Sequence, residues 1–141
     1  MPLSTYLYFD GECADAFELY KSVFGGDYAA FMRFSDAPPD FKYDEADEEK
    51  VMHVTLPVGS SVLMGSDVAK GYGEPPKPAN SFAISYAPET KAEADRVFNA
   101  LHADGGAVTM ALEEAFWGSY LGMCKDKFGV HWMVNFDLGQ H

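Results

Sequence analysis

Apolar side chains recur along this chain with two different periods, and the changes of period mark the elements. Leu3 to Phe9 (Leu-Ser-Thr-Tyr-Leu-Tyr-Phe) is dense in aromatic residues, which suit a pleated, half-buried surface, so it predicts a strand. Asp10-Gly11 turns the chain. From Cys13 to Phe24 the apolar positions are Cys13, Ala16, Phe17, Tyr20, Val23 and Phe24, a helical spacing with one face toward a core. Gly25-Gly26 ends this helix, because glycine takes the left-handed conformation past a helix end at no steric cost. Asp27 to Phe34 begins another extended segment. Val51 to Val58 and Ser61 to Ser66 predict a hairpin about Gly59-Ser60.

The same order then starts again. Asn80 to Tyr86 predicts a strand, and Thr90-Lys91-Ala92-Glu93 has the form of a capping box. Ala94, Val97, Phe98 and Leu101 give a second helix its stripe, and Gly105-Gly106 follows it, 80 residues after the first glycine pair. Ala107 to Leu112, Tyr120 to Lys125 and His131 to Phe136 complete a second set of strands. The expectation is an α+β fold of two βαβββ modules. Module one covers about 1–68, a Gly- and Pro-rich linker about 69–79, and module two about 80–141, in a single domain. Residues 36–50 break the pattern with Pro38-Pro39, Asp40, Asp44, Glu45, Asp47, Glu48 and Glu49. That composition predicts a solvated, mobile and dispensable loop, at least from Asp40 to Lys50.

Composition narrows the function classes. A chain of 141 residues with 48% apolar side chains can build one core. A formal charge of −12 argues against nucleic acid, whose phosphates demand a basic face. No apolar run approaches the roughly 20 residues of a membrane-spanning helix, and Met1-Pro2-Leu3-Ser4 opens no secretory signal. Cys13 and Cys124 form neither a metal-ligand spacing nor a disulfide framework, so reduced thiols in the cytoplasm are expected. Cys13, near a helix start, is either a thiol of lowered pKa or a buried, inert one, and the inert reading is preferred.

Several local patterns resemble one superfamily. Ala16-Phe17-Glu18-Leu19-Tyr20-Lys21-Ser22-Val23-Phe24-Gly25 is similar to the first-helix signature of the vicinal-oxygen-chelate (glyoxalase/bleomycin-resistance/extradiol-dioxygenase) superfamily, and Asp126-Lys127-Phe128-Gly129-Val130 resembles the turn before its last strand. Glu12-Cys13-Ala14-Asp15-Ala16, His53 with Gly59, Met64-Gly65-Ser66-Asp67, Glu114-Ala115-Phe116-Trp117-Gly118 and the run continuing to His131-Trp132 resemble its PhnB-like branch. The resemblance implies a concave mixed-sheet half-barrel cup backed by the two helices, with a ligand cleft on the concave face. It leaves the reaction open, since one fold hosts isomerases, dioxygenases, thiol transferases and pure binding proteins. The ubiquinone-methyltransferase label carried by some members finds no glycine-rich strand–turn–helix loop here. The superfamily holds a divalent metal on four inward side chains, and the motif places these at or near Thr5, Met64, Ser81 and Met133. Hydroxyls and thioethers are poor ligands for such an ion, so no metal or other cofactor is expected.

Strand geometry gives a separate view of the cleft. With Gly59-Ser60 as the turn, Val58 opposes Ser61, Thr55 opposes Met64 and His53 opposes Ser66. His53, Thr55, Met64 and Ser66 then share one face, and Val54, Leu56 and Leu63 share the face that receives the helix. His131, Met133 and Asn135 separate in the same way from Trp132, Val134 and Phe136. His53 is either a core histidine bonded to Ser66 or the proton carrier of the cleft. Thr55, Met64, Ser66, His131 and Met133 are the candidate ligand contacts, joined by Phe116 and Trp117, which serve either ordinary packing or the mouth of an apolar pocket. His102 and His141 are given no role. The preferred reading is a homodimer that binds a small organic molecule, with binding alone or metal-free acid–base chemistry at His53. The rival is a metal-dependent isomerase, lyase or dioxygenase using His53, His131 and either Asp67 or Glu113.

Overall fold

The computed structural model describes residues 2–77 and 79–139. They fall into two compact units, Met1–Lys77 and Pro78–His141, each with its own sheet and helix. In the first unit β1 (Thr5–Phe9) is followed by α1 (Cys13–Phe24), β2 (Ala30–Arg33), β3 (Val51–Val58) and β4 (Ser61–Asp67). The sheet order is β1-β4-β3-β2, with β1 parallel to β4 and the other pairs antiparallel. Leu7, Val54, Leu56 and Leu63 are buried with Phe17, Tyr20 and Val23 of α1. The helix comes close because β4 carries Gly65: a Cβ there would stand 2.6 Å from Phe17 Cε1 and 3.0 Å from the Leu7 carbonyl oxygen.

One carboxylate ties the helix to the sheet. Asp67, 4% exposed, accepts from the Cys13 amide at 3.0 Å through Oδ1 and from the Val51 amide at 2.9 Å through Oδ2. It thereby satisfies an orphan donor at the start of α1 and another at the start of β3. The helix stops at Gly25, whose φ of 79° lies in the glycine region and whose amide bonds the Lys21 carbonyl at 2.8 Å.

The segment after β2 departs from expectation. The extended run is confined to Ala30–Arg33, and Phe34–Asp36 turns into a short 3-10 helix. The acidic stretch makes several side-chain contacts. Phe34 is buried, the Phe41 ring stacks on Tyr72 at 5.5 Å, and Tyr43 lies 5.8 Å from Phe34. Asp47, 5% exposed, accepts from the Lys70 amide at 3.0 Å and pairs with the Lys50 ammonium at 3.0 Å. The Tyr72 hydroxyl donates to the Lys42 carbonyl. Phe41, Tyr43 and Asp47 thus give this largely exposed segment contacts to the rest of the first unit.

The second unit repeats the module: β5 (Ile84–Tyr86), α2 (Lys91–His102), β6 (Ala107–Glu114), β7 (Ser119–Lys125) and β8 (His131–Asp137), in sheet order β5-β8-β7-β6 with β5 parallel to β8. β5 is shorter than Asn80–Tyr86. Its partner β8 begins at His131, just after a turn in which Gly129 has φ 89°, so residues before 83 have no strand to pair with. Thr90 Oγ1 caps α2 by accepting from the Glu93 amide at 3.0 Å, while the Glu93 carboxylate turns to Arg96, so only half of the capping box forms. Gly122 admits Phe98 of α2 as Gly65 admits Phe17; a Cβ at Gly122 would stand 2.7 Å from Phe98 Cε1. Asp126, 1% exposed, accepts from the Phe128 and Val130 amides at 2.9 and 3.0 Å and from Trp132 Nε1 at 2.9 Å. This explains the Asp-x-x-Gly turn: the carboxylate both closes it and satisfies a buried indole.

Candidate functional site

Residues paired directly across two strands share a face of the sheet. The hairpin register is Val58↔Ser61 and Thr55↔Met64, as the two-residue turn predicts. β1 adds Tyr6↔Met64 and Tyr8↔Ser66, and β2 adds Met32↔His53 and Ala30↔Thr55. Tyr6, Tyr8, Met32, His53, Thr55, Met64 and Ser66 therefore occupy the face turned away from α1. None of these side chains bears a carboxylate, ammonium or guanidinium group. Tyr8 is 60% and Met32 37% exposed, so the face presents aromatic and thioether surface to solvent.

His53 sits at its centre. Nδ1 lies 3.2 Å from the Tyr6 hydroxyl and Nε2 lies 2.8 Å from Thr55 Oγ1. The Tyr6 ring is 5.7 Å from the imidazole and 5.1 Å from the Tyr8 ring. Both hydroxyls can donate or accept, so the neutral ring keeps either tautomer by reversing the direction of the chain. The expected bond to Ser66 is not made; the β3–β4 ladder ends at Val54↔Gly65, one residue short of that pair. Ser66 is buried. Tyr6 escaped the sequence reading, although the alternation of β1 carried the signal: Leu7 and Phe9 are buried, which leaves Tyr6 and Tyr8 for the other face.

In module two, Met133 pairs with Ser85 and Met123, and His131 with Lys125; both are half-buried on the face away from buried Trp132 and Val134. Phe116 and Trp117 lie between β6 and β7, 97% and 51% exposed, with rings in an edge contact at 5.0 Å. His102 ends α2 in an edge contact with Phe98, and His141 lies outside the described residues.

Among the described residues, the places that the resemblance gives to the metal ligands offer no donor set for a divalent ion. Thr5 pairs with Leu63, which puts it on the α1 face, opposite to Met64. Ser81 is exposed and precedes β5. Both Asp67 oxygens already hold backbone amides, and Glu113 is exposed on edge strand β6. Among the described residues no three His, Cys, Asp or Glu side chains gather as a metal site would require. Nor is there an activated thiol: burial, then the Asp67 charge, pushes the Cys13 thiol far up, and burial with Asp126 pushes Cys124 up to about 11.

The doubled module has counterparts of known structure. The chain superposes on a glyoxalase/bleomycin resistance protein/dioxygenase family enzyme from Burkholderia phytofirmans PsJN with a TM-score of 0.62 and 17% identity, over 96% of this chain and 97% of that one, a likeness of fold. The chain belongs to the family described as 3-demethylubiquinone-9 3-methyltransferase, whose model matches residues 2–135. Protein PA1353 from Pseudomonas aeruginosa has a TM-score of 0.85 at 41% identity, covering 97% of this chain and 98% of that one. The PhnB protein from Bacillus cereus has 0.74 at 25%, covering 96% and 99%. Protein YjdN from Escherichia coli K12 is 30% identical over 96% of this chain and 95% of its own length. The PhnB-like resemblance read from the sequence agrees with these relatives.

Proposed function

We propose that the chain binds a small organic molecule on the open face of the first sheet, with His53 as the hydrogen-bonding and proton-carrying group and no resident metal. The observation that carries this is the half-buried imidazole bridged between Tyr6 and Thr55 on an uncharged, partly exposed face. A histidine held only by neutral hydroxyls can yield one contact to a ligand and pass a proton to the other side, the requirement for acid–base work near neutral pH. Tyr8, Met32 and Met64 supply the apolar surround that such sites use for affinity. Thr55 and Ser66 are the further polar contacts. His131 and Met133 are the corresponding candidates on the second module's own open face, and Phe116 and Trp117 are candidates at its hairpin tip. The family is described by methyl transfer; the β1–α1 connection, Asp10-Gly11-Glu12, and the β5–α2 connection, Ala87-Pro88-Glu89-Thr90, hold one glycine between them, unlike the glycine-rich turn that cradles a nucleoside cofactor.

The protein is further proposed to act as a cytoplasmic homodimer. Among the described residues no helix is long and apolar enough to cross a membrane. A thermal-shift screen of neutral metabolites tests the binding reading. A hit whose shift disappears in His53→Ala, with the variant folded, supports it; hits unaffected by that substitution return His53 to a structural role.

A further inference from the structure

Among the described residues, solvent reaches the sulfur-bearing side chains unevenly. Cys13 and Cys124 are buried, and Met52, Met64, Met123 and Met133 are half-buried, whereas Met32 is 37% and Met110 41% exposed. An oxidant arriving from water therefore meets Met32 and Met110 first, since reaction at sulfur follows access. The two differ in what stands beside them. Met110 is paired with Met123, another thioether. Met32 lies on edge strand β2 directly opposite His53, where Cβ atoms are about 5 Å apart. Met64, the second thioether of that face, lies on interior strand β4, paired with β1 on one side and β3 on the other. The imidazole next to Met32 is held only by the Tyr6 hydroxyl at 3.2 Å and Thr55 Oγ1 at 2.8 Å. A thioether is a weak acceptor and competes with neither. A sulfoxide is polar and accepts strongly, so the same side chain, once oxidised, draws on the ring's N–H.

We propose that Met32 is an oxidation switch of the first sheet: peroxide converts its thioether to a sulfoxide, whose oxygen takes the His53 ring proton from its hydroxyl partners. The sulfur lone pair attacks one peroxide oxygen, the O–O bond breaks and water leaves. The thioether is oxidised by two electrons and hydrogen peroxide is reduced to water. The reverse step uses a dithiol, which becomes a disulfide while the sulfoxide oxygen leaves as water; one sulfoxide reductase serves each epimer. The consequence, a binding face made polar beside its imidazole, rests on the function proposed above. The switch itself is read on the free protein, so its failure is separate from that of the metabolite screen. Wild-type protein is treated with hydrogen peroxide and followed by peptide mass mapping and by long-range 1H–15N NMR of the histidine rings. Met32 gains one oxygen several-fold faster than Met64, and a second set of His53 ring signals grows in step with it. Both sulfoxide reductases with dithiothreitol restore the original set. Met32→Leu abolishes the second set, and Met110→Leu leaves it. Oxidation of Met32 no faster than of Met64, His53 signals unmoved as Met32 oxidises, or a second set that persists in folded Met32→Leu overturns the assignment.

Discussion

His53 is held by its neighbours without being fixed in tautomer. Tyr6 and Thr55 are both hydroxyls, so each nitrogen has a partner that adapts when the ring's proton moves. Removing the ring leaves two half-exposed hydroxyls that water can satisfy, so His53→Ala should lower stability by only about 1–2 kcal/mol. Urea denaturation reads that loss, and a loss several times larger would mean that the imidazole is a keystone of the sheet. The thiols behave in the opposite way. Each holds its proton more tightly folded than unfolded, because burial penalises the thiolate first and a nearby carboxylate adds to it. Their contribution to stability is therefore complete below the unfolded thiol value of about 8.5 and is lost as pH rises. For Cys124 the window closes at about 11. The urea midpoint should fall between these limits, and Cys124→Ala should flatten part of the fall; a midpoint unchanged across that range would contradict it.

The elements show where local sequence suffices and where it does not. α1 runs from Cys13 to Phe24, and β3 from Val51 to Val58, as the periodicity predicts, because stripes, caps and a two-residue turn are written in adjacent residues. β2 and β5 come out shorter, since their lengths depend on where β3 and β8 offer partners. The side of β1 that faces the site depends on the same register: a shift of one residue separates Thr5 from Tyr6 and exchanges the faces. In the clasp over Phe34, Phe41 and Tyr43 are visible in the sequence as the aromatic side chains able to anchor the acidic run, but nothing local announces that Tyr72 lies opposite. Two tests follow. Gly65→Ala would set a methyl 2.6 Å from Phe17 Cε1, and Gly122→Ala one 2.7 Å from Phe98 Cε1. Each should cost about 1–3 kcal/mol, and Phe17→Leu should recover part of the first; free tolerance of Gly65→Ala would show that α1 can lift off the sheet. The stacked Phe41–Tyr72 pair should give a coupling of about 0.5–1.5 kcal/mol in a double-mutant cycle. Strict additivity would return residues 40–50 to the status of a loose loop.

For the whole molecule, the questions are assembly and metal. Among the described residues each sheet ends in edge strands, β1 and β2 in one, β5 and β6 in the other, and β6 exposes Val108 and Met110 besides. Sheet proteins commonly pair or cover such edges, so sedimentation at micromolar concentration should give twice the chain mass; a single-chain mass would count against the homodimer. The metal question follows from where the strands put their donors. Tyr6, not Thr5, shares the face of Met64, and the face offers one imidazole among hydroxyls and thioethers. Such a donor set suits no hard or borderline divalent ion. A metal held at a hundred times its Kd would add about 2.7 kcal/mol to stability, enough to raise Tm by several degrees. Protein purified without chelator and then dialysed against EDTA should instead keep its melting temperature, and added zinc, nickel or manganese should not raise it. A metal-dependent rise that vanishes in His53→Ala would place an ion on this imidazole after all and restore metal-assisted chemistry to the first sheet.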